Sequence, residues 1–505
     1  MDYNSAHNLI EEIENRNDLG IVKYSKYKAW PLIKYHLYFA LLKYNENKED
    51  SPIANSSTTN KQSFVKSVIK FPLNIFRYFV YSLKYKNELS VLLNKVKKNT
   101  VLFIDVDDVL YEDKIDNKLY SRYISPYIEL VKKNYETTLL NVSSDEKSSE
   151  KSDSPYYFNI QSFIDFSVIK NQLRKRNDVQ LENFDLISNS IDDKRYKELV
   201  SKSFLESQLK KIEIYEEIWH LILSNCKPKA VFMSCHYGNL SNYGLLVAAK
   251  KLNIKTIEIQ HGLSLGVMYT GWNKMPKNAT YEFLPDYYWC WSLFDKISIE
   301  NSRGSSKMFQ PLLGGNAWFT KNILLNINND SNLELNKLID NNKPKKIILV
   351  TLQHSIPTSE ILIDAIRKSN SDYLWLIRFH PRDYFDPEYR KNYIEALKEF
   401  KNIEYVNATK ANLYPLLKQI NFHITHHSAV SVEALAFNIP TILLGNKFSE
   451  IFEKYIKAKL FQIANTSLDI LNIVNSDLPC DFEKFNMFKF YSSTELPIDI
   501  KNILQ

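Results

Sequence analysis

Glycine and cysteine are the scarce residues of this 505-residue chain, at 10 and 4 respectively. So few glycines exclude a glycine-rich phosphate loop of the Walker kind. A phosphate must instead be held by helix N-termini, hydroxyls and basic side chains. The four cysteines (Cys226, Cys235, Cys290 and Cys480) are scattered and form no CxxC pair. Neither a zinc centre nor a disulfide framework is indicated, no metal is expected, and a reducing cytoplasm is the setting they predict. No run approaches the roughly 18 consecutive apolar residues of a membrane helix. The start, Met1-Asp2-Tyr3 running into Glu11-Glu12, lacks the basic and apolar stretches of a signal peptide. A net charge of +7 is mild. It suits an anionic membrane surface or acidic sugars, and no nucleic-acid partner is expected.

What is present is a soluble globular composition, 44% hydrophobic and 24% charged, rich in Tyr (32) and Phe (28). The length predicts two domains plus an extension. Residues 1–95 read as a helical, aromatic extension interrupted by a polar stretch from Asn45 to Gln62. Within it, Ser63 to Lys86 mixes Phe and Ile with lysines, a pattern of either a helix pair packed on the protein or an interfacial segment touching the inner membrane. Residues 96–318 open with a strand at Val101–Asp105, continue through a strand at Thr137–Val142 and a solvated Ser143–Ser154 loop, and show helical periodicity over Lys194–Leu223. After Pro228 strands at Ala230–Met233, Ile254–Ile259 and Tyr287–Trp291 alternate with a helix over Asn239–Lys251. Residues 319–505 repeat the scheme, with strands at Ile347–Val350, Leu374–Ile377, Ile403–Val406, Phe422–Thr425 and Thr441–Leu444. Helices fit between at Glu360–Lys368, Tyr389–Phe400, Leu413–Gln419 and Val430–Phe437. Short apolar strands alternating with helices predict an α/β fold with two doubly wound, Rossmann-like domains whose strand ends face one cleft. Gly314-Gly315-Asn316 marks the crossing between them.

Two motifs fall at predicted strand ends in the second domain. Arg378-Phe379-His380-Pro381-Arg382 follows the strand at Leu374–Ile377. In extended chain Arg378, His380 and Arg382 share a side, which suits a phosphate leaving group; a surface turn with a capping histidine fits the spacing equally. In Thr425-His426-His427-Ser428-Ala429-Val430-Ser431-Val432-Glu433 a strand gives way to a helix beginning near Ser428, an N-cap residue type. The helix start and the hydroxyls of Ser428 and Ser431 offer donors to a phosphate, and Glu433 offers an acceptor to ribose hydroxyls; an ordinary capped helix is the alternative. His354, after the first strand of this domain, is read as site lining.

The succession RFHP, then LYPLLKQINFHITHHSAVSVEALAFNIPTILLG, resembles the C-terminal domains of bacterial surface-polysaccharide transferases of the GT-B fold. Among these are capsule transferases using CMP-Kdo, sialyltransferases with a His-Pro motif, and CDP-glycerol glycerophosphotransferases. The match covers about 345–485, and the two serines are split by Ala429 and Val430 instead of adjacent. The resemblance implies that His380 with Ser428 or Ser431 holds a nucleotide phosphate and that His380 assists its departure. Upstream, Ile257-Glu258-Ile259-Gln260-His261-Gly262 followed by Leu284-Pro285-Asp286-Tyr287 is similar to the acceptor-domain signature of such enzymes, which implies that His261 is the base. An imidazole of ordinary pKa about 6.5 suits that role; a histidine satisfied by backbone in the Gly262 turn also fits. Asp107, among the acids after the first strand, is a further candidate base, or marks a helix start. His236 is read as lining.

The function these readings imply is metal-independent transfer, without a cofactor, of a sugar from a nucleotide donor, favoured as CMP-linked Kdo or another nonulosonic acid. The expected acceptor is a hydroxyl of a surface glycan, lipid-linked at the inner face of the inner membrane. The alternatives are a CDP-glycerol-type glycerophosphotransferase, a UDP-sugar glycosyltransferase, a nucleotide-sugar 2-epimerase and a non-catalytic glycan-binding protein.

Overall fold

The computed structural model describes residues 3–43, 80, 82–94, 96–106, 112–115, 118–143, 157–159, 163–164, 166, 170, 179–191, 200–263, 266–274, 280–325, 332–353, 356, 359–380, 387–446, 449, 451–476 and 486–505. Two parallel sheets organise it. The first comprises β1 (Val101–Val106), β2 (Thr137–Ser143), β3 (Tyr157–Asn159), β4 (Ala230–Met233), β5 (Lys255–Ile259), β6 (Tyr287–Cys290) and β7 (Gln310–Leu313), in spatial order 3-2-1-4-5-6-7. The second comprises β8 (Lys346–Thr351), β9 (Tyr373–Arg378), β10 (Ile403–Glu404), β11 (Phe422–Thr425), β12 (Thr441–Leu444) and β13 (Phe461–Ala464), in spatial order 10-9-8-11-12-13. Both orders reverse direction beside the first strand, β1/β4 in one and β8/β11 in the other. That is the switch point of a doubly wound sheet, where a crevice opens at the strands' C-terminal ends. The chain is thus α/β with two doubly wound domains, the GT-B arrangement.

The strands form because they are apolar on both faces: β4, β11 and β12 are buried at all four positions, as helix-covered parallel strands must be. Helices start where the sequence supplies caps. Asn239 accepts the Ser241 N–H at the head of α4 (Leu240–Lys251), which follows α3 (Lys202–Cys226). Ser292 and Asp295 form a capping box on α5 (Leu293–Arg303), and Ser359 caps α6 (Glu360–Lys368).

The predicted strand at Ile403–Val406 is shorter than expected. The Glu404 carboxylate accepts the Asn407 N–H (2.6 Å) and turns the chain into a helix over Val406–Lys410. The edge strands β3, β7 and β13 escaped the sequence reading, as did the packing of both chain ends. Ahead of the sheets, α1 (Tyr3–Arg16) and α2 (Trp30–Lys43) flank a two-residue hairpin, 23–24 with 27–28, which also pairs with Leu181–Glu182. Their buried faces (Ile10, Ile13, Trp30, Ile33) share one core with Leu205 and Leu209 of α3 and Tyr243 of α4. After α7 (Val430–Ala436) in the second domain, α8 (Ile498–Leu504) packs Ile500 and Leu504, with Leu496 just ahead of it, against Val101 and Phe103 of β1. Where the chain passes between sheets, Gly315 adopts φ +78°, and a Cβ there would lie 2.0 Å from the Tyr491 carbonyl oxygen. Asn316 then bonds the Phe319 N–H (2.9 Å) at the start of the next helix. Most of the basic aromatic segment 63–86 lies outside the described residues, and no described helix is long and apolar enough to cross a membrane.

Candidate functional site

On the first sheet the polar groups gather around the ends of β4 and β5. Glu258 is fully buried near the C-terminal end of β5, between Ile257 and Ile259, where an unpaired carboxylate is costly. It is satisfied by two neighbours: Tyr269 donates its hydroxyl to Oε1 (2.8 Å) and His236 donates from Nδ1 to Oε2 (2.6 Å). The Cys235 carbonyl accepts from Asn242 Nδ2 (2.7 Å), and Gln260 bridges the Gly262 carbonyl (2.8 Å) and the Trp291 N–H (2.7 Å), so both strand ends are held by side chains.

His261 stands beside this network, its ring centre 6.1 Å from that of Tyr237 and 6.2 Å, edge-on, from that of Tyr123. Burial pushes its pKa down; the Glu258 carboxylate and main-chain hydrogen bonds to Ser234 and Ile259 oppose that, and His236 adds to it. The ring is therefore neutral at pH 7. Its Nδ1 is buried and without a hydrogen-bond partner among the described residues. Ligand atoms of Cys235, Glu258 and His261 lie within 4.8 Å of one another, a spacing that admits a metal ion. The donor set suits one poorly. Burial, with the Glu258 charge, holds the Cys235 thiol protonated, and both Glu258 oxygens already accept hydrogen bonds.

On the second sheet, β9 and β11 flank β8, so Arg378 and Thr425 both stand beside Thr351. The half-buried His380 and Ser428 follow on the same edge, the two strands separated by about 10 Å at ordinary strand spacing. Arg378 donates from Nη1 to the Ala408 (2.7 Å) and Ala411 (2.6 Å) carbonyls, pinning the short helix between them. Ser428 is not the N-cap of α7: that position is Ala429, with no side-chain cap bond. Instead Ser428 Oγ accepts the Val430 N–H (3.2 Å), and its carbonyl accepts from Ser431 Oγ (2.8 Å). Ser431 is fully buried, so its hydroxyl serves the turn and does not face the cleft. Glu433 accepts from the Tyr414 hydroxyl (2.9 Å); burial raises its pKa, opposed by the charges of Arg122 from the first domain and Arg378. Asp107, His354 and Arg382 lie outside the described residues.

The edges meet in a pocket of about 160 Å³, to which the first domain gives Tyr237 and Tyr269, α2 gives Tyr38 and Phe39, and the second domain gives His427 and Ile451. Glu258 and the seam residues Arg122 and His427 were missed from the sequence. Only Glu258 left a readable signal, a carboxylate inside an otherwise apolar strand. His423, by contrast, is a core histidine between Thr351 Oγ1 (2.8 Å) and Thr441 Oγ1 (3.1 Å), its pKa pushed down to about 3 by burial.

No protein-family model matches the chain, and no curated protein matches it. Solved structures are similar to it. They include the UDP-GlcNAc 2-epimerase of Methanocaldococcus jannaschii (14% identity, 80% of this chain and 99% of that one, TM-score 0.48) and UDP-GlcNAc 2-epimerase from Neisseria meningitidis bound to UDP-GlcNAc (15%, 80% and 97%, TM-score 0.45). Another is UGT89C1 of Arabidopsis thaliana (11%, 80% and 98%, TM-score 0.43). At these identities the likeness is one of fold alone.

Proposed function

We propose that the chain is a nucleotide-sugar-dependent glycosyltransferase in which His261 takes the proton of the attacking hydroxyl and the tips of β8, β9 and β11 hold the donor. The observation that carries this is the neutral imidazole of His261, with an unpartnered buried Nδ1, next to the Tyr237 that lines the pocket between the two sheets. In the step itself the acceptor oxygen bonds to the anomeric carbon, the bond from that carbon to the nucleotide phosphate oxygen breaks, and the electron pair leaves with the phosphate. The acceptor proton goes to His261. A positioned base of this kind contributes about 10²–10⁴-fold.

His380 and Ser428 face the departing phosphate, joined by Arg382 and His354 on the strength of their sequence positions; Asp107 is the alternative base. Arg378 and Ser431, whose donors serve main-chain carbonyls, hold the edge in shape. Glu433 binds the ribose less readily than its sequence position implied, since Tyr414 already occupies one of its oxygens. The motif resemblance favours a CMP-linked donor such as Kdo and a lipid-linked surface glycan as acceptor at the membrane's inner face.

The test is product analysis by mass spectrometry after incubation with CMP-Kdo, CMP-sialic acid and UDP-GlcNAc, each with and without glycan acceptor. Acceptor-dependent nucleotide release, reduced at least about 100-fold in His261→Ala, is expected. The structural neighbours include UDP-GlcNAc 2-epimerases, so isomerisation of UDP-GlcNAc without acceptor is the result that replaces transfer with epimerisation.

A further inference from the structure

A second pocket, of about 270 Å³, lies where α1, α2, the segment 266–274 and α5 meet, and it shares Val267 with the pocket at the seam. Its floor is a buried charge pair. Lys34 Nζ donates to Glu14 Oε1 (2.6 Å) and to the Thr270 carbonyl (2.7 Å) and lies 4.6 Å from the Trp272 ring centre. Glu14 also accepts from Trp30 Nε1 (3.1 Å). Both side chains are almost fully buried, and burial pushes the Lys34 pKa down against the pull of Glu14. Such a pair is expensive to desolvate and is weak evidence of a role in stability. Gly271, at φ +83°, is what lets the carboxylate sit here: a Cβ would fall 2.1 Å from Glu14 Oε2.

Two further observations point to a ligand. Ser298 on α5 is 6% exposed, lines the pocket, and its hydroxyl has no hydrogen-bond partner among the described residues. A buried hydroxyl left in that state is costly and is relieved by a ligand that bonds it. At the rim, Lys274 is paired with Glu11 (2.6 Å), while the second domain contributes Lys454, exposed, over the Phe294 ring at 5.3 Å. The neighbouring Glu453 is taken by Lys457 (2.5 Å). Lys34, Lys274 and Lys454 against Glu11 and Glu14 leave the lining with one positive charge in excess.

We propose that this pocket is a subsite for a sugar unit that carries a carboxylate, its hydroxyls met by Ser298 and the glutamates and its carboxylate by Lys454. A volume just under the usual range for small-molecule sites, about 300–1,000 Å³, fits one ring and not a chain. The inference rests on the transfer reading: a glycan whose reacting unit occupies the seam pocket reaches this one past Val267 with a neighbouring unit, so the ligand belongs to the acceptor.

Saturation-transfer NMR on the full chain, without nucleotide, compares methyl glucuronide with methyl glucoside, which differ only at C6, a carboxylate in one and a hydroxymethyl in the other. The glucuronide is expected to bind about tenfold more tightly, and Lys454→Ala to abolish that preference while leaving the glucoside signal and the melting temperature unchanged. Equal binding of the two, no binding of either at about 10 mM, or a preference that survives Lys454→Ala overturns the proposal. A chain that transfers sugar yet shows no carboxylate preference retires this subsite alone. A preference that depends on Lys454 supports the subsite even where transfer fails.

Discussion

The two sheet edges share a strand order and use their polar groups differently. Beyond β4 and β5, Asn242 and Gln260 hold the main chain around a side-chain network in which Glu258 joins His236 to Tyr269, and His261 is held neutral beside it. Beyond β9 and β11, apart from the Tyr414–Glu433 pair, side chains bond to the main chain: Arg378 to two carbonyls, Ser428 to the Val430 N–H, Ser431 to the Ser428 carbonyl. A side-chain network in a dry site fixes a proton's position. Main-chain anchoring fixes a loop's shape. In the proposed function the first edge handles the proton and the second holds the donor that arrives from outside.

The sharpest way to break this contrast is His261→Ala, for which kcat is expected to fall about 10²–10⁴-fold with the melting temperature unchanged; an equal loss in His380→Ala, with no rise in donor KM, erases the distinction. Glu258→Ala leaves the buried His236 and Tyr269 without their acceptor and is expected to cost about 3–5 kcal/mol by chemical denaturation. Gly271→Ala, forcing a side chain into the left-handed region against Glu14, should cost about 1–3 kcal/mol. Arg378→Lys, which cannot serve the Ala408 and Ala411 carbonyls in the same geometry, should cost about 1–2 kcal/mol and leave kcat within a few-fold.

The pH dependence sharpens the same comparison, because the second edge is backed by a core histidine that stays neutral. Above pH 6.5 His423 is uncharged folded and unfolded. As pH falls toward about 3, the unfolded chain takes up a proton that the folded chain refuses, so stability present above 6.5 is lost. Burial holds His36 down to about 4 with the same sign. Denaturation midpoints should fall between pH 6.5 and 4 by about 1.4 kcal/mol per unit for each histidine, and less steeply in His423→Asn.

The inner strands of both sheets were legible because parallel strands buried on two faces write themselves as short apolar runs: Ala230–Met233, Phe422–Thr425 and Thr441–Leu444 have the bounds that the sequence predicts, whereas the edge strands β3, β7 and β13 were not read. Ile403–Val406 misled because its second half is apolar yet is turned by a side-chain bond from Glu404, which no periodicity reveals. The second edge was legible as residue types but not as partners, since an arginine two residues from a histidine reads the same whether it faces a phosphate or two carbonyls. Glu258 was passed over because its meaning depends on Tyr269 and His236, 11 and 22 residues away in the chain. The role of α1 and α2 was hidden for the same reason: a shared core with α3, some 170 residues on, leaves no local trace.

Thermal melting of the full chain with CMP, CDP, UDP and GDP, in the parent and in His380→Ala and His261→Ala, tests the central claim most directly. A nucleotide at 100 times its Kd adds about 2.7 kcal/mol to stability. The account predicts that at least one nucleotide raises the melting temperature, that His380→Ala loses the shift and that His261→Ala keeps it. No shift with any of the four, or a full shift in His380→Ala, contradicts it.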